Sequence, residues 1–239
     1  MRLDKFLSNM LPYSRKEVKA LCRERRILVN GVPVANGDVP ISPENDRVEF
    51  DGRLVAYMPF VYLMLNKPAG YVSATEDRKY KTVLELVPEE FSHFGLFPMG
   101  RLDVDTEGLL ILTNDGGMAH NILSPKKHVD KVYFARIEGV PGEREAAVFS
   151  EGVTLEDGYH ALPAKLRILS SQNGQSEIEL TIREGKFHQV KRMFEAVGMH
   201  VTYLKRIQMG GVRLDPTLEL GQVRPLTAEE VNSLCSEKR

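Results

Sequence analysis

Three acidic side chains alternate in one short stretch of this 239-residue chain, at Asp103, Asp105 and Glu107. The apolar run 109–112 follows directly, which places the carboxylates on a loop held against a predicted buried strand. Such carboxylates can perform acid/base chemistry of the glycosidase kind, bind a divalent cation, or face solvent. A calcium loop counted from Asp103 needs Glu at its twelfth position, where Asn114 stands. The spacing alone leaves acid/base chemistry and plain solvation open.

Other familiar chemistries lack their motifs. The sequence has no Gly-x-Gly-x-x-Gly, and Gly100 is followed by Arg101 where a phosphate-binding loop needs Lys. The six histidines form no His-Glu-x-x-His pair, so no metal site is predicted. The two cysteines, Cys22 and Cys235, suggest no disulfide framework, which indicates a reducing compartment. Because no window holds the roughly 18 apolar residues of a membrane span, we expect a soluble cytoplasmic protein.

Strand patterns surround the acidic loop and must position it. Apolar or alternating runs predict strands at 61–65, 109–113, 131–137, 164–169 and 177–182. A turn is predicted at 114–117, and apolar residues at helical spacing predict a helix between residues 185 and 201: Phe187, Val190, Met193, Phe194 and Val197. Strands outnumber helices, and no strand–helix–strand alternation repeats. The predicted fold class is therefore α+β, with a mixed, mainly antiparallel sheet.

The N-terminal residues form a separate basic module. Residues 1–30 carry a net charge of +5, against −6 for the rest of the chain. Apolar spacing predicts a helix from Leu3 to Met10, Ser14 predicts the cap of a second helix, and Asn30-Gly31 predicts a tight hairpin. The second helix carries a stripe of basic residues on one face: Arg15, Lys19, Arg23 and Arg26. We place the domains at 1–58 and 59–239, with a linker at 52–60.

The acidic loop resembles a known family signature. Gly100-Arg101-Leu102-Asp103 is similar to the signature of the pseudouridine synthases, and Thr106-Glu107-Gly108 continues it as in the branch that modifies ribosomal RNA. Segments 66–70 and 184–194 resemble the first and third motifs of that family. The N-terminal module, with two small helices, a basic face and a hairpin, resembles the S4 RNA-binding module. The resemblance implies a small S4-like α/β module followed by a synthase domain.

The resemblance also implies roles for single residues. Asp103 would be the catalytic carboxylate, acting on the sugar as nucleophile or base. Tyr133 would stack on the target base. Lys191 would pair with Asp103, and Arg192 is the alternative partner. Without the family, Tyr133 would be taken as a core aromatic and the two basic residues as a patch on a helix surface.

A second set of residues is predicted to bind RNA. Within the catalytic domain these are Arg101, Lys67 and Arg192, and in the S4-like module they are Arg15, Lys19 and Arg23. In the reaction implied by the resemblance, the bond from the ribose to a base nitrogen breaks, and the same sugar carbon then bonds to a carbon of the base. It is an isomerisation, so no cofactor is expected.

The target follows from the resemblance alone. The string 188–194 is most similar to synthases of small-subunit 16S RNA that modify uridine 516. The expected partner is ribosomal RNA or a small-subunit assembly intermediate, with the protein acting as a monomer. Three alternatives stay open: a large-subunit (23S) RNA target, a non-catalytic ribosome-binding factor of the same fold, and a glycosidase-like hydrolase that needs a second essential carboxylate.

Overall fold

The computed structural model describes residues 1–124 and 127–235 of the chain. It consists of two compact units, one formed by Met1–Val61 with Val87–Leu96 and the other by Tyr62–Leu86 with Phe97–Arg239. We predicted a single boundary near residue 58. The segment Val87–Leu96, which lies between two strands of the second unit, belongs instead to the first.

The first unit combines helices with a small antiparallel sheet. Its helices are α1 (Leu3–Met10) and α2 (Arg15–Arg23), and Glu89–Phe94 forms a 3-10 helix. The sheet has the order β2-β1-β3-β4, with β1 (Ile27–Val29), β2 (Val32–Pro33), β3 (Val48–Phe50) and β4 (Arg53–Leu54). The structure thus confirms the predicted pair of helices followed by a hairpin.

Local sequence explains these elements. The Ser14 side chain accepts a hydrogen bond from the Glu17 backbone, and the Glu17 carboxylate accepts one from the Ser14 backbone, which forms the predicted capping box. Asn30 and Gly31 adopt positive φ angles of 52° and 78°, as a tight hairpin requires. The prediction of a linker at 52–60 was wrong at its start, because β4 lies there and pairs with β3.

The second unit is built on a nine-stranded sheet with helices packed against it. The strands of this unit are β5 (Tyr62–Lys67), β6 (Tyr71–Val72), β7 (Lys81–Thr82), β8 (Phe97–Met99), β9 (Glu107–Thr113), β10 (Lys131–Glu138), β11 (Lys165–Gln172), β12 (Gln175–Ile182), β13 (His200–Met209), β14 (Val212–Arg213) and β15 (Val223–Pro225). Of these, β6 and β7 form a separate two-stranded sheet, and the other nine form the large sheet. The helices of this unit are α3 (Gly116–Leu123), α4 (Glu143–Glu151), α5 (Gln189–Glu195) and α6 (Ala228–Cys235), and Val83–Leu86 is a 3-10 helix.

The large sheet runs in the order β11-β12-β10-β13-β9-β5-β15, with β14 beside β13 and β8 beside β9. Among the described strands of this sheet, only β9 and β13 pair in parallel, which confirms the predicted mixed, mainly antiparallel sheet. Their close approach explains Gly108, whose φ is +99° and whose missing Cβ leaves room for the Arg206 backbone. Because β9 begins at Glu107, the third carboxylate lies on this strand rather than on the loop where it was expected, and the loop ends at Thr106.

Two local predictions in the second unit were wrong in their bounds. The turn predicted at 114–117 is shorter than expected, because α3 begins at Gly116, where the Asp115 side chain accepts a hydrogen bond from the Met118 backbone and caps the helix. The helix predicted between residues 185 and 201 forms, with Val190, Met193 and Phe194 buried as expected, but it covers only Gln189–Glu195. Phe187 was expected on its buried face and is instead 75% exposed, on the turn before the helix.

The core of the second unit lies under the strands that bound the acidic loop. Met64, Leu109 and Ile111 from β5 and β9 pack with Ala119 and Ile122 of α3, and all five are buried. The acidic loop is thereby anchored to a rigid scaffold. Within residues 1–124 and 127–235, no helix has the length and apolarity needed to cross a membrane.

Candidate active site

A cavity in the second unit collects several of the predicted site residues. Its floor includes Tyr133 of β10, Ile182 of β12 and Leu204 of β13. The acidic loop, the turn before α5 and the first residues of α5 supply the remaining lining residues: Arg101, Leu102, Asp103, Thr106, Gly185, Lys186, His188, Gln189 and Val190. Three residues predicted from the sequence, Arg101, Asp103 and Tyr133, therefore line one cavity.

The acidic loop is held from below by the Lys67 side chain. Lys67 ends β5 and is fully buried. Its ammonium lies 3.1 Å from the carbonyl oxygen of Pro68 and 3.0, 3.3 and 2.8 Å from those of Asp103, Val104 and Thr106. The prediction that Lys67 contacts RNA was wrong, because every one of its N–H donors is turned inward. The residue shapes the loop instead.

The Lys67 ammonium keeps its charge at neutral pH. Burial lowers its pKa to about 8, a shift that the carboxylates of Asp105, Asp103 and Glu107 oppose. A protonated amine can donate three hydrogen bonds and accept none, which matches a nest of carbonyl oxygens. The loop is fixed elsewhere by Ser73, whose hydroxyl accepts a hydrogen bond from the Leu102 backbone N–H at 3.0 Å.

Two cationic or potentially cationic groups face the Asp103 carboxylate, whose side chain is 28% exposed. The Lys191 ammonium lies 3.9 Å from Asp103 Oδ2, and His188 Nε2 lies 3.6 Å from Asp103 Oδ1. The Lys191 ammonium is closer to Asp105, at 2.7 Å from both carboxylate oxygens. Lys191 thus bridges two carboxylates of the acidic loop, and its shortest hydrogen bonds go to Asp105 rather than to Asp103.

Asp105 and Arg192 each pair with a side chain of opposite charge. Partial burial raises the pKa of the Asp105 carboxyl, but the hydrogen bonds and charge of Lys191 outweigh it and lower the pKa overall. Arg192 donates to Asp157, with 2.6 Å between Nη2 and Oδ2. The prediction of Arg192 as the alternative partner of Asp103 was wrong, because neighbouring residues on a helix point about 100° apart. Its contact with RNA stays a prediction.

Tyr133 occupies a position that suits a stacking residue. It lies on β10 between Leu180 of β12 and Arg206 of β13, and only 7% of its surface is exposed. What remains exposed lines the cavity beside Asp103. Leu204, also buried, lines the same cavity from β13. An aromatic ring fixed in a sheet can present one face to a flat ligand without moving.

His188 was not predicted as a site residue, although it lines the cavity and lies 3.6 Å from Asp103. Its φ of 49° places it in the left-handed region, which is uncommon for residues other than glycine. A signal was available, since His188 precedes Lys191 by three residues in the segment matched to the third family motif. The spacing of the histidines alone gave His188 no role. Among the described residues, no cluster of three or more His, Cys, Asp or Glu side chains could hold a metal ion.

The basic face of α2 lies in the first unit. Arg15 and Arg23 are exposed. The Lys19 ammonium lies 3.0 Å from Asp38 and 4.0 Å from Asp4. Those carboxylates partly neutralise Lys19, so Arg15 and Arg23 carry more of the available positive charge of this face.

Comparisons with known proteins agree on one family. A model described as RNA pseudouridylate synthase matches residues 61–196, and an S4 domain model matches residues 1–48. The chain is 47% identical over 234 residues to an uncharacterized RNA pseudouridine synthase of Bacillus subtilis, covering 98% of each. It is 41% identical over 236 residues to the ribosomal small subunit pseudouridine synthase A of Escherichia coli strain K12, covering 98% of this chain and 100% of that protein. A crystal structure of a pseudouridylate synthase is similar at a TM-score of 0.68, with 39% identity, 98% of this chain and 99% of that chain.

Proposed function

The chain belongs to the RNA pseudouridylate synthase family, and from this membership we propose that it converts a uridine of small-subunit ribosomal RNA to pseudouridine, with Asp103 as its catalytic carboxylate. One observation carries the assignment of the site: Asp103 and Tyr133 line the same cavity. The cavity supplies an acidic group for the sugar and an aromatic face for the base.

The proposed reaction needs only these groups. The bond between the ribose carbon and the base nitrogen breaks, the uracil rotates, and the same sugar carbon bonds to base carbon 5, whose proton is lost as the nitrogen gains one. Asp103 acts on the sugar as nucleophile or base, while Tyr133 stacks on the uracil that has left the RNA helix. Since the product is an isomer of the substrate, the reaction consumes neither a redox cofactor nor an energy source.

Lys191 is proposed to support Asp103 by its charge. Replacing Lys191 by Met should lower kcat about 100-fold, because Asp103 would lose the ammonium 3.9 Å from its carboxylate. Replacing Asp105 by Asn is the matched control. Asp105→Asn removes the negative charge of the carboxylate to which Lys191 makes its shortest hydrogen bonds, and it should lower kcat by less than about threefold. Single-turnover rates at saturating enzyme measure both, and equal losses in the two variants would contradict this role.

The first unit is proposed to hold the RNA by its phosphates. The double variant Arg15→Ala, Arg23→Ala should weaken binding similarly for unrelated RNA sequences. It should also reduce the slope of log K against log salt by about 1 per lost phosphate contact. Lys19→Ala should change the slope less, because Asp38 already lies 3.0 Å from that ammonium. Filter-binding titrations at several salt concentrations test this, and an unchanged slope in the double variant would remove the α2 face from RNA binding.

The substrate is proposed from the relatives. Relatives from Yersinia pestis and Escherichia coli are named as synthases of the small ribosomal subunit. We extend that target to this chain, and the finer proposal is uridine 516 of 16S RNA. The partner would be this RNA or a partly assembled small subunit. RNA shape and loop contacts select among uridines in such enzymes, so the substrate is a separate proposal from the chemistry.

Mapping the product tests the substrate directly. Purified protein is incubated with 16S transcript, with 23S transcript and with partly assembled small subunits, and pseudouridine is located by carbodiimide modification and primer extension. We expect one new stop, at position 516 of the 16S RNA. A stop only in 23S RNA would move the target to the large subunit, and no stop on any substrate despite binding would favour the ribosome-binding factor.

A further inference from the structure

The turn before α5 is rigidly built. Glu184 is buried and accepts hydrogen bonds from the Tyr159 hydroxyl at 2.6 Å, the Leu162 backbone at 2.9 Å and Gln189 Nε2 at 2.6 Å. The Gln189 amide oxygen in turn accepts a hydrogen bond from the Lys186 backbone at 2.9 Å. Side chains between residues 184 and 189 are therefore displayed from a fixed backbone.

Phe187 stands exposed at the tip of this turn. At 75% exposure it is the most exposed large hydrophobic side chain among residues 1–124 and 127–235. Its ring stacks on the His188 ring, with 3.8 Å between centroids and 17° between planes. Only one ring face is covered in this way, and the other is open. The open face of the Phe187 ring is therefore available to a flat apolar or aromatic ligand.

The surroundings of the ring favour a nucleic acid. His188, on which Phe187 stacks, lines the cavity that holds Asp103 and Tyr133. Lys186 and Arg101 line the same cavity. Aromatic rings beside basic side chains are the combination that binds single-stranded nucleic acid, with rings stacking on bases and cations near phosphates.

We propose that Phe187, backed by His188, is a stacking platform for the nucleobase next to the uridine that enters the cavity. The proposal rests on the proposed function, since it requires an RNA substrate with one base flipped out. A flipped base leaves its neighbour without a stacking partner. The open face of Phe187, beside the cavity, replaces that partner. The platform thus contributes to RNA affinity and to the choice of site, while the chemistry stays with Asp103.

The test compares Phe187→Leu with Phe187→Tyr on 16S transcript. Leucine keeps apolar surface but has no ring, and base–aromatic stacking is worth about 1–3 kcal/mol per base, so Kd and KM should rise about tenfold. The single-turnover rate at saturating enzyme should stay within about twofold of wild type. Tyrosine should restore wild-type Kd. Leu169→Ala, at a 42% exposed side chain on β11, is the matched control and should change neither value.

A fluorescent base locates the contact. Two RNA fragments that span the target uridine are prepared, with 2-aminopurine on its 5′ side in one and on its 3′ side in the other. For one of the two fragments, wild-type protein should quench the 2-aminopurine fluorescence more than Phe187→Leu does. Unchanged Kd and quenching in Phe187→Leu would overturn the proposal, and so would a loss confined to the chemical rate. A binding defect seen with assembled subunits but not with free RNA would assign Phe187 to a protein contact instead.

The failure of this proposal can be distinguished from the failure of the proposed function. Absence of pseudouridine formation by wild type would refute the proposed function, and the comparison of RNA binding by wild type and Phe187→Leu would still decide the stacking role.

Discussion

Replacing Asp103 by Asn is expected to abolish pseudouridine formation while RNA affinity stays within about twofold of wild type. The substitution keeps the shape of the side chain and removes its negative charge, so neither nucleophilic nor base chemistry is available. A positioned acid or base contributes about 10²–10⁴-fold to rate, and because covalent chemistry is lost as well, we expect a loss of at least 10³-fold in kcat. Nucleoside analysis of digested 16S RNA by liquid chromatography and mass spectrometry measures the product.

Asp105→Asn and Glu107→Gln are the matched controls for Asp103. Glu107 accepts a hydrogen bond from the Tyr203 hydroxyl at 2.7 Å, and the Asp105 side chain is 70% exposed. Unlike Asp103, neither residue lines the cavity that holds Tyr133. Both variants should keep at least about a third of wild-type kcat. A hydrolase would instead need a second essential carboxylate and would release free uracil. A ribosome-binding factor would be indifferent to all three changes.

Replacing Lys67 by Met is the second change with a large expected effect. It removes the ammonium that lies within hydrogen-bond distance of the carbonyl oxygens of Pro68, Asp103, Val104 and Thr106 and leaves these groups buried without that donor. An unsatisfied buried polar group costs about 1–3 kcal/mol, so we expect the free energy of unfolding to fall by about 3 kcal/mol. The loop that carries Asp103 should shift, and kcat should fall at least 100-fold.

Lys131→Met controls for the loss of a buried lysine. Lys131 is also buried, and burial lowers its pKa to about 8 as it does for Lys67. Its ammonium donates to the carbonyl of Val129 at 3.0 Å, outside the acidic loop. This variant should lose less stability and keep most of its activity. Urea denaturation and single-turnover rates measure the two effects, and wild-type activity in Lys67→Met would show that the loop does not depend on this side chain.

Local patterns predicted much of the fold. The capping box at Ser14 and the hairpin at Asn30-Gly31 depend only on residues that are close together in the sequence, so a short segment is enough to predict each of them. The parallel pairing of β9 with β13 joins residues about a hundred positions apart, and nothing local encodes it. For the same reason, Val87–Leu96 could not be assigned to the first unit from its sequence. Asp115 was ambiguous because an Asp before two glycines signals a turn as well as a helix cap.

The site was predictable in its residue types but not in its geometry. The family motifs predicted Asp103 and Tyr133 as site residues, and the two line one cavity. They could not show that Lys67 points inward, because a lysine at a strand end suits solvent equally well. They also could not show that Lys191 makes its shortest contacts with Asp105, since that choice depends on side-chain positions across two elements. Phe187 followed the apolar spacing of the helix but lies before its first residue.

The most direct test follows tritium from carbon 5 of the target uridine. 16S RNA labelled at that carbon is mixed with excess wild-type protein or with Asp103→Asn, at concentrations where equal RNA binding has been measured. We expect wild type to release one tritium per RNA molecule with a single rate constant, and we expect Asp103→Asn to release none. Release by Asp103→Asn at the wild-type rate would contradict the role of this carboxylate, and no release by wild type from RNA that it binds would contradict the proposed reaction on this RNA.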